Sequence, residues 1–296
     1  MRWIKRKMKI RSRMHFKATI RRKIERFFYK RRYSAQDIVT LMKSMGLKKG
    51  ATIFIHSSWK EFYNYTGTIN EFIDALLVEI GTDGTLAMPA FPLLKKTDNV
   101  FRINNTPSTT GILTEIFRNY PDVKRSANKS SVCAFGPKSD YLVNEHLYSV
   151  TSYDEKSPYY KLAELDALIF SFGLTKYYIG TSIHCVESLL RHELPYFHQF
   201  FTTKNILKIE MEDKTIYYQE SYTKGENLIY WNYRSKEKFI KHLDKSKYVR
   251  KKLSNLSVNM YEAKYLVNES IALGREGIVM YKIPIPSKKL FVKINS

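Results

Sequence analysis

His184, followed three residues later by Glu187, is the pair in this chain best suited to acid–base chemistry. Residues three apart on a helix share a face, so the carboxylate can orient the imidazole or stabilise its charged form. The stretch from Gly180 to Glu187 comes after a short apolar run, Ala167 to Gly173, that reads as a core strand. Beyond it Ile183, Val186, Leu189 and Leu190 recur at helical spacing, with Thr181 or Ser182 as the expected cap. His184 is thereby expected near a helix N-terminus past the end of a core strand, where open α/β sheets place their active sites. The positive end of that helix depresses an imidazole pKa and keeps the ring neutral, able to accept a proton. An ordinary intrahelical polar pair is the competing reading.

A second candidate is the turn His56-Ser57-Ser58, after the strand-like Thr52-Ile53-Phe54-Ile55. Small polar residues there offer amides and hydroxyls to a phosphate or pyrophosphate, or simply cap the next helix. Neither a dinucleotide or P-loop glycine fingerprint nor a Gly-x-Ser-x-Gly elbow is present. Cys185 does not form a dyad with His184, because adjacent helical residues point about 100° apart. His184, Glu187, His192 and His198 match no zinc spacing, and Pro195 interrupts them, so no metal is expected.

The elements that must position these groups come in a regular order. Ser34 with Asp37 opens a helix that ends at Gly46, and Gly50 turns into the strand at Thr52. A helix from Ile69 to Ile80 leads to a strand at Thr85 to Met88. A helix near Gly111 to Asn119 and a strand at Val132 to Phe135 come next. Alternation of this kind predicts an α/β layered sandwich with a mixed, mainly parallel central sheet flanked by helices. From about residue 200 the pattern diverges. Antiparallel strands are expected around Thr215 to Tyr218, then a charged helix from about Ser235 to Leu253. A last strand, Gly277 to Ile283, is expected to return to the sheet.

The chain has 296 residues and a formal charge of +22, unevenly spread. Between Met1 and Tyr33 there are fifteen Lys or Arg and one acid, Glu25, so +14 resides in this arm. Ile4 and Met8, then Phe16, Ile20, Ile24, Phe27 and Phe28, give it an apolar stripe, with a break expected near Ser12. Residues 1–33 are therefore read as a basic amphipathic arm ahead of a domain at 34–296. An anionic membrane surface, a nucleic acid, or its own domain can each accept such a helix. No zinc, helix-turn-helix or RNA-binding signature favours nucleic acid. The two cysteines, Cys133 and Cys185, lie in apolar surroundings and read as reduced core thiols of a cytoplasmic protein.

In order along the chain, several pieces resemble the aminoglycoside 3-N-acetyltransferase family. They are Leu47-Lys48-Lys49-Gly50 into Ile55-His56-Ser57-Ser58; Gly84 to Pro89; Thr106-Pro107-Ser108 with Gly111, Glu115 and Phe117-Arg118; Arg125-Ser126; Phe135-Gly136; Ser157-Pro158; and Thr181 through His184 to Glu187. The resemblance covers about Ser34 to Glu193. It implies acetyl-CoA as co-substrate, an amino-sugar acceptor, and His184 as the catalytic base with Glu187 beside it. His56, Ser57, Ser58, Thr106 and Ser108 are then the expected cofactor contacts. Three departures stand out. Asn128-Lys129 occupies the place of a His-Pro pair usual in the family. Thr109 or Thr110 replaces a common arginine. Tyr177-Tyr178-Ile179-Gly180 lacks an acidic residue usual before the histidine, which leaves Glu187 to supply the orienting charge. Combined with the arm, these features point to an acetyltransferase for an amino sugar in surface polysaccharide or glycolipid assembly, peripheral at the inner face of the membrane. Antibiotic acetylation, or sugar or lipid binding without turnover, are the alternatives.

Overall fold

The computed structural model describes residues 16, 19–94, 99–174, 178–224 and 233–294. A seven-stranded sheet forms its centre. Its strands are β1 (Thr52–Ser57), β2 (Thr85–Pro89), β4 (Lys124–Arg125), β5 (Val132–Phe135), β6 (Leu168–Phe172), β9 (Tyr248–Leu253) and β10 (Leu256–Glu262), in the order β4-β5-β2-β1-β6-β10-β9. A smaller sheet holds β3 (Val100–Arg102), β7 (Thr203–Glu210) and β8 (Ile216–Thr223), in the order β3-β7-β8.

The period-two pattern of each strand divides the core into two. Phe54, Ala87, Ile169 and Tyr261 point to one face and meet Leu162, Val186, Leu190 and Leu266. Ile53, Ile55, Leu86, Met88, Phe170 and Val258 point to the other, onto Ile38, Met42, Phe72, Leu76 and Phe117. Helices thus cover both faces, and β1 in the middle is buried almost throughout, as a doubly covered strand is. The helices form where short-range signals ask for them. Ala35–Lys43 and Ile69–Ile80 each open with a complete capping box, Ser34 with Asp37 and Thr68 with Glu71, and bury one apolar stripe.

In the larger sheet β2 and β6 pair in parallel with β1, while β4, β5, β10 and β9 pair antiparallel outside them. The sheet is mixed, with a smaller parallel share than the strand–helix alternation suggested. The carboxyl ends of the three central strands therefore share one edge. The loop entering β5 joins them there, because Val132 pairs with Pro89.

The C-terminal third departs from expectation. The charged helix is limited to Tyr233–Ile240, and the rest of that segment forms the β9–β10 hairpin at the sheet edge. The expected strand at Gly277 to Ile283 does not form. The strand beside β6 is β10, and the apolar residues of 277–281 lie over the core, with Met280 and Tyr281 buried.

Residues 19–28 of the arm are helical. Ile4, Met8 and the break near Ser12 lie outside the described residues. Among the described residues, no helix is long and apolar enough to cross a membrane.

Candidate active site

Past the end of β6 the chain turns at Gly180, where φ is +86°, a conformation that a residue with a side chain rarely adopts. A single 3-10 turn, Ser182–His184, then runs into the helix Cys185–Leu190, with His184 at its N-cap position. Neither Thr181 nor Ser182 caps this helix. Ser182 is buried by tertiary packing instead.

His184 and Glu187 do come together: Nδ1 lies 3.2 Å from Glu187 Oε1. The carboxylate is enclosed, whereas the His184 side chain keeps 21% of its surface. Two residues from distant segments complete the cluster. Lys224, just after β8, places Nζ 3.0 Å from Glu187 Oε2 and 3.1 Å from His184 Nδ1. The Tyr281 hydroxyl lies 3.2 Å from the same Nδ1 and donates to Glu187 Oε1. The Tyr153 ring packs 5.3 Å from the imidazole, centre to centre. No local pattern announced Lys224, Tyr281 or Tyr153. Lys224 and Tyr281 stand 40 and 97 residues from His184.

Burial holds the His184 pKa below the ordinary histidine value, and the Lys224 ammonium lowers it further against the pull of Glu187. The expected direction is met, but desolvation and a neighbouring cation cause it. Burial by itself would raise the Glu187 carboxyl; Lys224 and His184 outweigh it and hold the group below its usual range. Lys224 is itself lowered by burial, partly offset by Glu187. The ionised Glu187 carboxylate facing Nδ1 favours the tautomer with its proton there, against Lys224 Nζ, a donor 3.1 Å from the same nitrogen that is itself paired with Glu187. Nε2 then carries the free lone pair, and it makes no hydrogen bond among the described residues.

His56 sits one layer beneath. Its ring is enclosed, with Nδ1 2.9 Å from the Tyr178 hydroxyl and Nε2 3.4 Å from both the amide and the hydroxyl of Thr181. Burial drives its pKa down to about 3. His56 therefore braces the turn that carries His184, and its ring is closed to a cofactor. Ser57 and Ser58 are partly open, and their hydroxyls make no hydrogen bond among the described residues. Thr106 and Ser108 are committed to their own loop. Thr106 Oγ1 accepts from the Arg102 amide, and Ser108 Oγ shares a 2.6 Å bond with Thr110. Arg125 fastens that loop by donating to the carbonyls of Ala90, Ile103 and Thr106.

Asn128 and Lys129 stand in the loop at the same sheet edge. Asn128 is buried, donating to His146 O and accepting from the Ser130 amide. Ser130 donates to the Tyr153 hydroxyl and so ties this loop to the ring beside His184. Burial lowers the Lys129 ammonium to about 8. Cys185 is buried, and burial pushes its thiol well above the ordinary value, the reverse of an activated nucleophile. His192 and His198 are exposed and, with Arg191, line a separate pocket of about 280 Å³. A cleft of about 750 Å³ runs past Leu168, Lys247 and Glu262 at the amino end of β6, opposite His184.

The family model for aminoglycoside 3-N-acetyltransferase matches residues 54–273, from inside β1 to the last helix. The chain belongs to the aminoglycoside 3-N-acetyltransferase family. Among curated relatives it is 27% identical over 184 residues to the SPbeta prophage-derived aminoglycoside N(3')-acetyltransferase-like protein YokD of Bacillus subtilis (strain 168), covering 54% of this chain and 65% of that one. It is 26% identical over 162 residues to aminoglycoside N(3)-acetyltransferase IV of Salmonella sp, covering 54% of this chain and 60% of that one. The chain thus spans less than two thirds of the length of these relatives. Among solved structures, AAC-IIIb in binary complex with CoASH superposes with a TM-score of 0.70 at 16% identity, over 87% of this chain and all of that one. Apo AAC(3)-IVa gives 0.66 at 19%, over 84% and 92%. Identities this low establish the shared fold of the aminoglycoside 3-N-acetyltransferase family.

Proposed function

We propose that this protein transfers the acetyl group of acetyl-CoA to the amine of an amino sugar, with His184 as general base. The observation that carries the reading is His184 itself: a neutral imidazole, held through Nδ1 by Glu187, with Nε2 unengaged among the described residues and part of the ring open. Family membership supports it, as does the CoASH-bound relative of the same fold. An amino-sugar ammonium must lose a proton before it can attack. In the reaction, nitrogen bonds to the thioester carbonyl carbon while Nε2 takes the amine proton. The C–S bond then breaks and the proton passes to the departing sulfur. General-base assistance of this kind contributes about 10²–10⁴-fold. Holding amine and thioester together supplies much of the remainder. Ser57 and Ser58, whose hydroxyls at the sheet edge are unengaged among the described residues, are the contacts proposed for the cofactor. Thr106 and Ser108 shape the adjoining loop.

The acceptor proposed is an amino sugar of surface polysaccharide or glycolipid assembly. A polycationic antibiotic meets an unfavourable field here, since Lys224 lies against His184 and the chain carries +22. Antibiotic acetylation is kept as a second reading because related structures were solved with sisomicin, a gentamicin and apramycin. Thiol release from acetyl-CoA, measured across neutral, anionic and polycationic amino sugars, decides between them. Turnover is expected with neutral or anionic acceptors and should fall by about 10²–10⁴-fold in His184→Ala. A kcat/KM highest for sisomicin or gentamicin would select the antibiotic reading. No thiol release with any acceptor, and no heat of CoA binding, would remove the enzyme reading altogether.

A further inference from the structure

The helix at residues 19–28 is mounted the wrong way round for a surface helix. An amphipathic helix ordinarily buries its apolar stripe on the domain and turns its charges to water. Here the charged side faces the protein. Arg21 donates to Glu61 at 2.8 Å and Arg22 to the other oxygen of the same carboxylate at 3.4 Å. The Tyr63 hydroxyl donates to Glu25 at 3.2 Å, and the Arg26 guanidinium lies 5.1 Å over the Tyr63 ring. Just beyond the helix, Asn64 donates to the Tyr29 carbonyl and Lys252 to its hydroxyl. At 100° per residue, positions 20, 24, 27 and 28 fall in one arc of about 100°, opposite the arc of 22, 25, 26 and 29, while Arg21 stands at its flank. The side chains in that arc, with Phe16, are 42–73% exposed.

We infer that this outward face, Ile20, Ile24, Phe27 and Phe28, is a docking surface for an anionic lipid bilayer, into whose headgroup region it inserts. With Phe16, these large apolar side chains aligned in water form a patch of the kind that marks an interaction site. Charge names the occupant. The arm carries fifteen Lys or Arg against Glu25; beyond Arg21, Arg22 and Arg26, which are held on the domain, each base near an anionic membrane adds about 1 kcal/mol of attraction. A nucleic acid answers the charge and leaves the outward phenylalanines without a role. A second copy answers the apolar stripe and brings two strongly basic arms together. An anionic bilayer answers both. The Glu61 clamp gives the helix a fixed bearing on the domain, so docking sets which side of the enzyme meets the membrane. This inference is independent of the acetyl-transfer reading.

The test is co-sedimentation of the full-length chain with vesicles of phosphatidylcholine alone and of phosphatidylcholine with phosphatidylglycerol. Binding is expected only to the anionic vesicles. Phe27→Ser with Phe28→Ser should weaken it about tenfold to a hundredfold, as removal of two inserted aromatics requires. Because both rings are exposed, the variant should keep the wild-type unfolding midpoint and thiol-release rate in solution, separating lost docking from lost folding or catalysis. Equal binding to both vesicle types, absence of binding, or unchanged binding by the double variant would overturn the inference. So would a wild-type dimer in sedimentation velocity that the double variant dissolves without vesicles present. Salt-sensitive binding to duplex DNA in place of vesicle binding would overturn it too, assigning the arm to nucleic acid.

Discussion

Two histidines stand where adjacent strands of one sheet end, and their surroundings make them different reagents. Around His56, at the end of β1, the partners are neutral: the Tyr178 hydroxyl and the Thr181 amide and hydroxyl. With no charge nearby, burial alone decides, and the ring stays neutral down to about pH 3. Around His184, beyond β6, a carboxylate and an ammonium pair with each other beside Nδ1, and part of the imidazole remains open. Burial with neutral partners makes a brace. Burial beside a charge couple, with one nitrogen left over, makes a group that can exchange protons.

The sharpest way to break this contrast is to remove each ring in turn. His184→Ala is expected to lower kcat/KM for acetyl transfer by about 10²–10⁴ with little change in unfolding midpoint. His56→Ala should do the reverse, costing about 2–4 kcal/mol in urea unfolding through the cavity and the unpaired hydroxyls, with a smaller kinetic effect. Equal losses of activity and stability in both variants would erase the distinction.

Next in size is the charge couple. Glu187→Gln leaves the Lys224 ammonium buried without its counter-charge, and a destabilisation of about 3–5 kcal/mol is expected. Adding Lys224→Met should recover part of that loss. A double variant as unstable as the sum of the two single changes would show that the pair is not coupled.

A smaller effect, spread over pH, comes from the enclosed rings of His56 and His146, both held down to about 3 by burial. In the unfolded chain each takes up a proton near its ordinary value of about 6.5. Between those two values the unfolded state binds more protons, so stability falls as pH falls, by about 1.4 kcal/mol per pH unit for each ring. Urea unfolding from pH 7 to pH 5 measures the slope, and His56→Gln should flatten it by one ring's share.

The gentlest test concerns the other histidine. With its pKa lowered, His184 stays neutral below the usual histidine range, and the acid limb of kcat/KM should fall there. Removing the cation in Lys224→Met favours protonation of the ring, which moves that limb to higher pH. A limb that does not move would take Lys224 out of the electrostatics of the site.

Much of the fold was legible because its signals are local. The helices Ala35–Lys43 and Ile69–Ile80 arise from capping boxes and apolar spacing, and β1, β2, β5 and β6 from short apolar runs between turn residues. The C-terminal third was harder to read. In Tyr248–Leu253 the charges sit on an edge strand and obscure its alternation, while Gly277 to Ile283 is apolar through packing over the core, without strand pairing. In the site, His184 and Glu187 were legible as a one-turn pair. Thr106 and Ser108 were expected as cofactor contacts from the family resemblance, and the hydrogen bonds that occupy their hydroxyls were not legible.

The amino-acid order alone determined where most strands and helices of the first two hundred residues begin, that His184 and Glu187 come within one helical turn, and that the first 33 residues are strongly basic with apolar residues at helical spacing. Those properties depend on neighbours a few residues away. Tertiary structure decided that Lys224 and Tyr281 close around His184, that His56 is sealed, and that the arm helix turns its charges inward to Glu61. Each of these is a meeting of groups from 39 to 125 residues apart. Such contacts exist only once the sheet has ordered its strands, because charge and burial act through space while local sequence specifies only the next turn of chain.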